Sequence, residues 1–71
     1  MTADDWLSTY AELLGTKPPT PAELETLLAL AGVAAHASER KAAPVACWLA
    51  ANAQLTPAEA LELARKAAQA P

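Results

Sequence analysis

Thr20-Pro21-Ala22-Glu23 and Thr56-Pro57-Ala58-Glu59 are one four-residue signal written twice. Each offers Thr as an N-cap, Pro at the first helical position and Glu at the third. In such a capping box the Thr hydroxyl accepts a first-turn amide and the Glu carboxylate accepts the Thr N–H. The proline lacks an N–H only where the helix has no partner for one. A residue preceding proline is also pushed out of the helical region, as an N-cap requires. Helix starts at Pro21 and Pro57 follow.

Working outward, the apolar spacing and the breakers place two more helices. The first runs over about 3–14, with Asp4 and Asp5 complementing its positive end and Gly15 stopping it. Its expected inner face is Trp6, Tyr10, Leu13 and Leu14, with Leu7 beside them. The helix begun at Pro21 carries Leu24, Leu27, Leu28, Ala31, Ala34 and Ala35 at helical spacing and is expected to run over 21–40. Gly32 inside it reads as a close-packing point or as a kink. A third helix is expected over 44–53, with Val45, Trp48 and Leu49 inward, and a fourth over 57–69, built on Leu61, Ala64 and Ala68. Trp6 and Trp48 are expected in the core, the alternative being an interface anchor. No strand-like alternation of useful length occurs. The fold class is all-α, a small four-helix up-down bundle in a single domain over 1–71, because short connections favour antiparallel neighbours. An orthogonal array of the same helices stays open.

Twenty of the 71 residues are alanine and none is phenylalanine. Alanine favours helix and close approach but buries little area per residue. A core this small rarely supplies more than roughly 3–5 kcal/mol of net stability. With one cysteine, Cys47, and one histidine, His36, neither a disulfide framework nor a zinc set can be written, and no cofactor is expected. The net charge of −3 argues against nucleic acid and anionic membrane as partners. No apolar run approaches the ~20 residues that cross a bilayer, and the acidic start Met1-Thr2-Ala3-Asp4-Asp5 is unlike a signal peptide. Cytoplasm is the expected compartment.

An up-down bundle makes the helices from Pro21 and Pro57 parallel. Arg40 and Lys41 then meet Arg65 and Lys66 at one end, with His36 one turn before Arg40, while Glu12, Glu23, Glu25, Glu59 and Glu62 fall toward the other. Complementing helix macrodipoles explains such a bias without any function. The third helix also starts at the basic end, behind Ala43, a poor N-cap. Its first amides beside Arg40 and Lys41 form a candidate anion site, unless Ser38 or Glu39 folds back on them. His36, Glu39 and Arg40, at i, i+3 and i+4, are expected on one helix face. No nucleophile with a base, distinctive carboxylate pair or Gly-rich phosphate loop accompanies them, so the chain is expected not to be an enzyme. Cys47 reads as a small buried hydrophobe.

The stretch Ala34-Ala35-His36-Ala37-Ser38-Glu39-Arg40-Lys41-Ala42-Ala43-Pro44, with Trp6-Leu7 and Val45-Ala46-Cys47-Trp48-Leu49, carries a resemblance. It resembles a small actinobacterial helical family of unknown function, found alone or joined to molybdenum-cofactor guanylyltransferase-like proteins. The resemblance runs from about Trp6 to Ala68 on the pattern A-H-x-x-x-R-x-x-A-P. It implies an accessory role in molybdopterin-dinucleotide cofactor maturation, with a nucleotidyltransferase as protein partner and no catalytic residue in this chain. The positions it marks are His36, Arg40 and Pro44. The candidate partner or anion site is therefore His36, Glu39, Arg40, Lys41 and Pro44. A small-ligand domain taking a phosphate or nucleotide, and a self-associating helical homodimer, are the alternative functions.

Overall fold

A computed structural model describes residues 1–70. Four helices make up this part of the chain: α1 (Ala3–Leu14), α2 (Pro21–Ala37), α3 (Ala42–Asn52) and α4 (Pro57–Ala68). Both capping boxes form. Thr20 Oγ1 accepts the Glu23 N–H at 3.1 Å and the Thr20 N–H donates to Glu23 Oε1 at 2.8 Å. At α4 the matching distances are 3.2 Å and 3.0 Å, from Glu59 N–H to Thr56 Oγ1 and from Thr56 N–H to Glu59 Oε1. Thr2 caps α1 by accepting the Asp5 N–H at 3.1 Å.

α1 and α3 end in the same way. Gly15, in the left-handed region at φ 75°, donates its N–H to the Glu12 carbonyl, and Thr16 reaches back to Ala11. After α3 it is Gln54 that takes this conformation, at φ 62°, with its N–H on the Ala51 carbonyl and the Leu55 N–H on Ala50. Both are Schellman turns, which satisfy the last carbonyls of a helix at the expense of one left-handed residue. Glycine fills that position without strain; glutamine does not.

α2 stops at Ala37, three residues short of the expected Arg40. Ser38 leaves the helical region at φ −141°, ψ −95°, and both its N–H and its hydroxyl donate to the Ala34 carbonyl, at 3.2 Å and 3.0 Å. A serine that bonds its own preceding turn competes with helix continuation. α3 in turn begins at Ala42, two residues ahead of Pro44. Pro44 thus occupies the third position of the helix, still within the first turn, whose amides have no intrahelical acceptor to lose.

α2 is the hub. It packs against both α3 and α4, and α1 has no comparable contact with any of them. Residues from the end of α2, the start of α3 and the end of α4 line one recess (Ala37, Ala42 and Ala68 among them). Ala22 and Glu23 share another with Thr56 and Pro57. α2 and α4 therefore run parallel with α3 antiparallel between them in sequence, the up-down order the short connections imply. α1 lies at the margin, where Asp4, Leu7 and Ser8 face Pro18, Pro19, Pro21 and Leu24. The molecule is drawn out to 40 × 24 × 19 Å, with a radius of gyration of 12.7 Å. About 11 Å is usual for this length.

The core is smaller than the apolar pattern implies. Among the described residues only Ala11, Leu30 and Ala60 are buried, and Leu30, at 2% exposure, is the one large side chain fully enclosed. Leu30 falls outside the expected α2 face; Leu28, within it, is exposed. Trp6, Tyr10, Leu13 and Leu14 of α1, and Val45, Trp48 and Leu49 of α3, all stand about half or more in water instead of inward. The reason is steric supply. Alanine-rich faces bring α3 and α4 each close against α2, and no room is left at those two contacts for tryptophan.

Gly32 is neither a contact point nor a kink. α2 is continuous through it, and a Cβ built there meets no atom within 4 Å. Gly32→Ala is accordingly expected to stabilise the fold by about 0.5–1 kcal/mol, since only unfolded-chain entropy changes. Gln54→Gly, which relieves a left-handed side chain, is expected to stabilise by up to about 1 kcal/mol. Urea midpoints of the two variants check both; a fall in either midpoint contradicts the corresponding geometry.

Candidate functional site

Charge separates along the α2–α4 pair. Because these helices are parallel, Arg40 and Lys41 after α2 and Arg65 and Lys66 in the last turn of α4 lie at one end, which leaves Lys17 as the one base elsewhere. The capping glutamates Glu23 and Glu59 lie at the other. Glu23, Glu59, Arg65 and Lys66 sit where their own helix macrodipoles favour them, whereas Lys41, at the N-cap of α3, does not.

At the basic end the candidate residues fall into place in turn. His36 lies in the last turn of α2, Glu39 and Arg40 in the connecting turn, Lys41 at the N-cap of α3 and Pro44 inside its first turn. All five are exposed. Lys41 Nζ and Glu39 Oε2 are 3.6 Å apart, a pair fully open to water and therefore weak. Glu39 and Lys41 line an open recess of about 510 Å³ together with Ser38, Ala42 and Val45; His36, Arg40 and Pro44 do not. Since α2 ends at Ala37, the helical i, i+4 relation expected between His36 and Arg40, and the i, i+3 relation to Glu39, do not exist.

The α3 N-terminus has no side-chain cap, as its sequence implies. Its amides are nonetheless occupied. The Ala42 N–H donates to the Glu39 carbonyl at 3.0 Å and the Ala43 N–H to the Arg40 carbonyl at 3.1 Å, while Pro44 has no N–H. The turn before α3 satisfies the helix start with its own backbone. An anion at this corner would meet side-chain cations, not a row of free amides. Among the described residues no three of His, Cys, Asp and Glu are placed to hold a metal ion.

A second feature was missed by sequence reasoning. α3 and α4 leave between them a groove of about 280 Å³ with Leu30 of α2 at its floor, and every side chain lining it is Leu or Ala. Leu49 and Leu63 stand at its rims, both more than half exposed. The available signal was α3 itself, which has no charged side chain from Ala42 to Asn52. A helix without charge whose neighbours are alanine-rich has more apolar surface than they can cover.

A family model for a domain of unknown function, DUF6457, matches residues 1–71. The chain belongs to the DUF6457 family. No curated protein and no solved structure matches it. For this DUF6457 chain the chemistry of the surface must therefore come from its own geometry. Among the described residues, no helix is long and apolar enough to cross a membrane.

One titrating group at the acidic end reports on the fold. The backbone hydrogen bond from Thr56, reinforced by its side chain, holds the Glu59 carboxyl below its ordinary value of 4.5. A carboxyl lowered in the folded state contributes stability that is complete above the unfolded value and is lost as pH falls through the folded one. Thermal unfolding followed between pH 6 and 3 is expected to show a steeper acid loss for the native chain than for Glu59→Gln. Parallel curves would place the α4 cap outside the acid response.

Proposed function

We propose that this domain is a non-catalytic docking module whose partner is another protein. One observation carries the reading. Val45 and Trp48, three residues apart on α3, stand side by side in water, Trp48 at 64% exposure, on a helix that has no charge. Trp is enriched among the residues that dominate protein interfaces, and an uncharged surround is what an interface centre requires. Val45 also lines the recess that Glu39 and Lys41 enter, so the apolar face and the basic corner adjoin.

The resemblance at Ala35-His36, Arg40 and Ala43-Pro44 supports a nucleotidyltransferase of molybdenum-cofactor synthesis as the partner, with this chain as its accessory. Transferase chemistry belongs to that partner. In this arrangement His36, Glu39, Arg40, Lys41 and Pro44 form the polar rim of the contact, and the cations steer an acidic surface toward Trp48. Phosphate or nucleotide binding at the same corner is the weaker reading, since the backbone amides there are engaged. A lone, half-buried Cys47 suits a reducing cytoplasm as the place of work.

Calorimetry with a purified molybdopterin-guanine dinucleotide transferase tests this directly. Trp48→Ala is expected to weaken binding by about 30-fold, the factor for a ~2 kcal/mol hot spot. The double change Arg40→Ala, Lys41→Ala is expected to slow association and flatten its salt dependence. Absence of binding by the native chain removes the transferase as partner, and an unaffected Trp48→Ala removes the α3 face.

A further inference from the structure

The docking-module reading leaves the α3–α4 groove and the bare face of α1 unassigned, although one chain carries both. The accessible surface is 5644 Å², where a compact monomer of 7.3 kDa exposes about 4,200 Å². Each chain thus has roughly 1,400 Å² more surface than its mass calls for, and large apolar side chains such as Trp6, Leu13, Trp48 and Leu63 stand exposed on it. Two copies hiding that surplus would bury about 2,900 Å² in total, inside the range of obligate homodimers.

We infer that the groove between α3 and α4 is filled by α1 of a second copy, in a reciprocal two-fold exchange. The fit is one of length, shape and charge. Trp6 to Leu13 on α1 spans seven residue steps, as do Ala46 to Ala53 and Ala60 to Ala67 on the groove walls; each run is about 10 Å long. Trp6 and Tyr10, stacked with ring centroids 4.9 Å apart, form a ridge that projects from α1. The groove is walled largely by alanine and accepts bulk of this kind. α1 carries Asp4, Asp5 and Glu12 and no base, while α4 ends in Arg65 and Lys66. Seated antiparallel to α4, α1 brings Asp4 and Asp5 to those cations. Its slight contact with its own bundle leaves it free to cross over. A ridge and a groove on one chain polymerise unless the exchange closes, and two-fold reciprocity closes it.

This inference rests on the reading of the domain as a docking module but uses a different face from Val45 and Trp48. Sedimentation equilibrium on the full chain is expected to give twice the 7.3 kDa chain mass at micromolar concentration. Leu63→Asp in the groove and Tyr10→Asp on the ridge are each expected to raise the dissociation constant at least tenfold. Both side chains are about half exposed in the single chain, and far-UV circular dichroism confirms that each variant stays helical. Mixing the two variants is expected to restore a pair, because one ridge and one groove remain intact. A single-chain mass up to millimolar concentration overturns the exchange, whether α1 folds onto its own groove or another protein occupies it. So does a dimer indifferent to both substitutions. Either result leaves the Trp48→Ala test of the transferase contact standing, and loss of that contact alone leaves the dimer standing.

Discussion

Among the described residues Leu30, midway along α2, is the one large side chain withdrawn completely from water. α3 and α4 both close on α2 around it, and their walls there are alanine. That arrangement limits everything else. Alanine lets α3 and α4 each approach α2 until a single leucine fills the space, but it removes little apolar area from water per residue. The three helices are held by closeness more than by bulk, and every larger apolar side chain is displaced to the outside.

The displaced side chains are what give the domain a surface to work with. Val45 and Trp48 form an outer face on α3, Leu49 and Leu63 rim a groove, and α1 carries a stacked Trp6–Tyr10 pair away from the core. A monomer seldom presents so much apolar surface without a partner for it. The polar chemistry is spare by comparison. Among the described residues no buried side-chain polar atom lacks a partner, and the charged corner around Arg40 and Lys41 is wholly wet. The surface of the DUF6457 chain is marked by shape and exposed apolar side chains, edged by charge.

Local signals carried the helix boundaries wherever the chemistry was itself local. The two Thr-Pro-Ala-Glu boxes and the Gly15 stop depend on hydrogen bonds between residues three to five apart, and sequence displays those directly. At the α2–α3 junction two local options competed. Ser38 bonding back to Ala34 outweighed continuation to Arg40, and Pro44 was absorbed into a first turn instead of opening one. The candidate corner shared that fate. Its residues were identified and its charges gather as the parallel helices require, but the His36–Arg40 face vanished with the last turn of α2.

Sequence alone therefore determined four helices, their order, and a dipolar spread of charge, because capping, breaking and helix direction are properties of short segments. On which faces turn inward it misled: the residues it marked as inner on α1 and α3, Trp6, Tyr10, Val45 and Trp48 among them, stand in water. In α2 apolar residues surround nearly the whole circumference, so periodicity had no face to prefer, and Leu30 became the core only through contact with α3 and α4. The tertiary structure decided that Trp6 and Trp48 lie outside, that open space faces Gly32 where a side chain would stand, and that a groove opens beside α3. Each depends on how closely alanine-lined helices approach one another, a distance between segments remote in sequence that no single segment encodes.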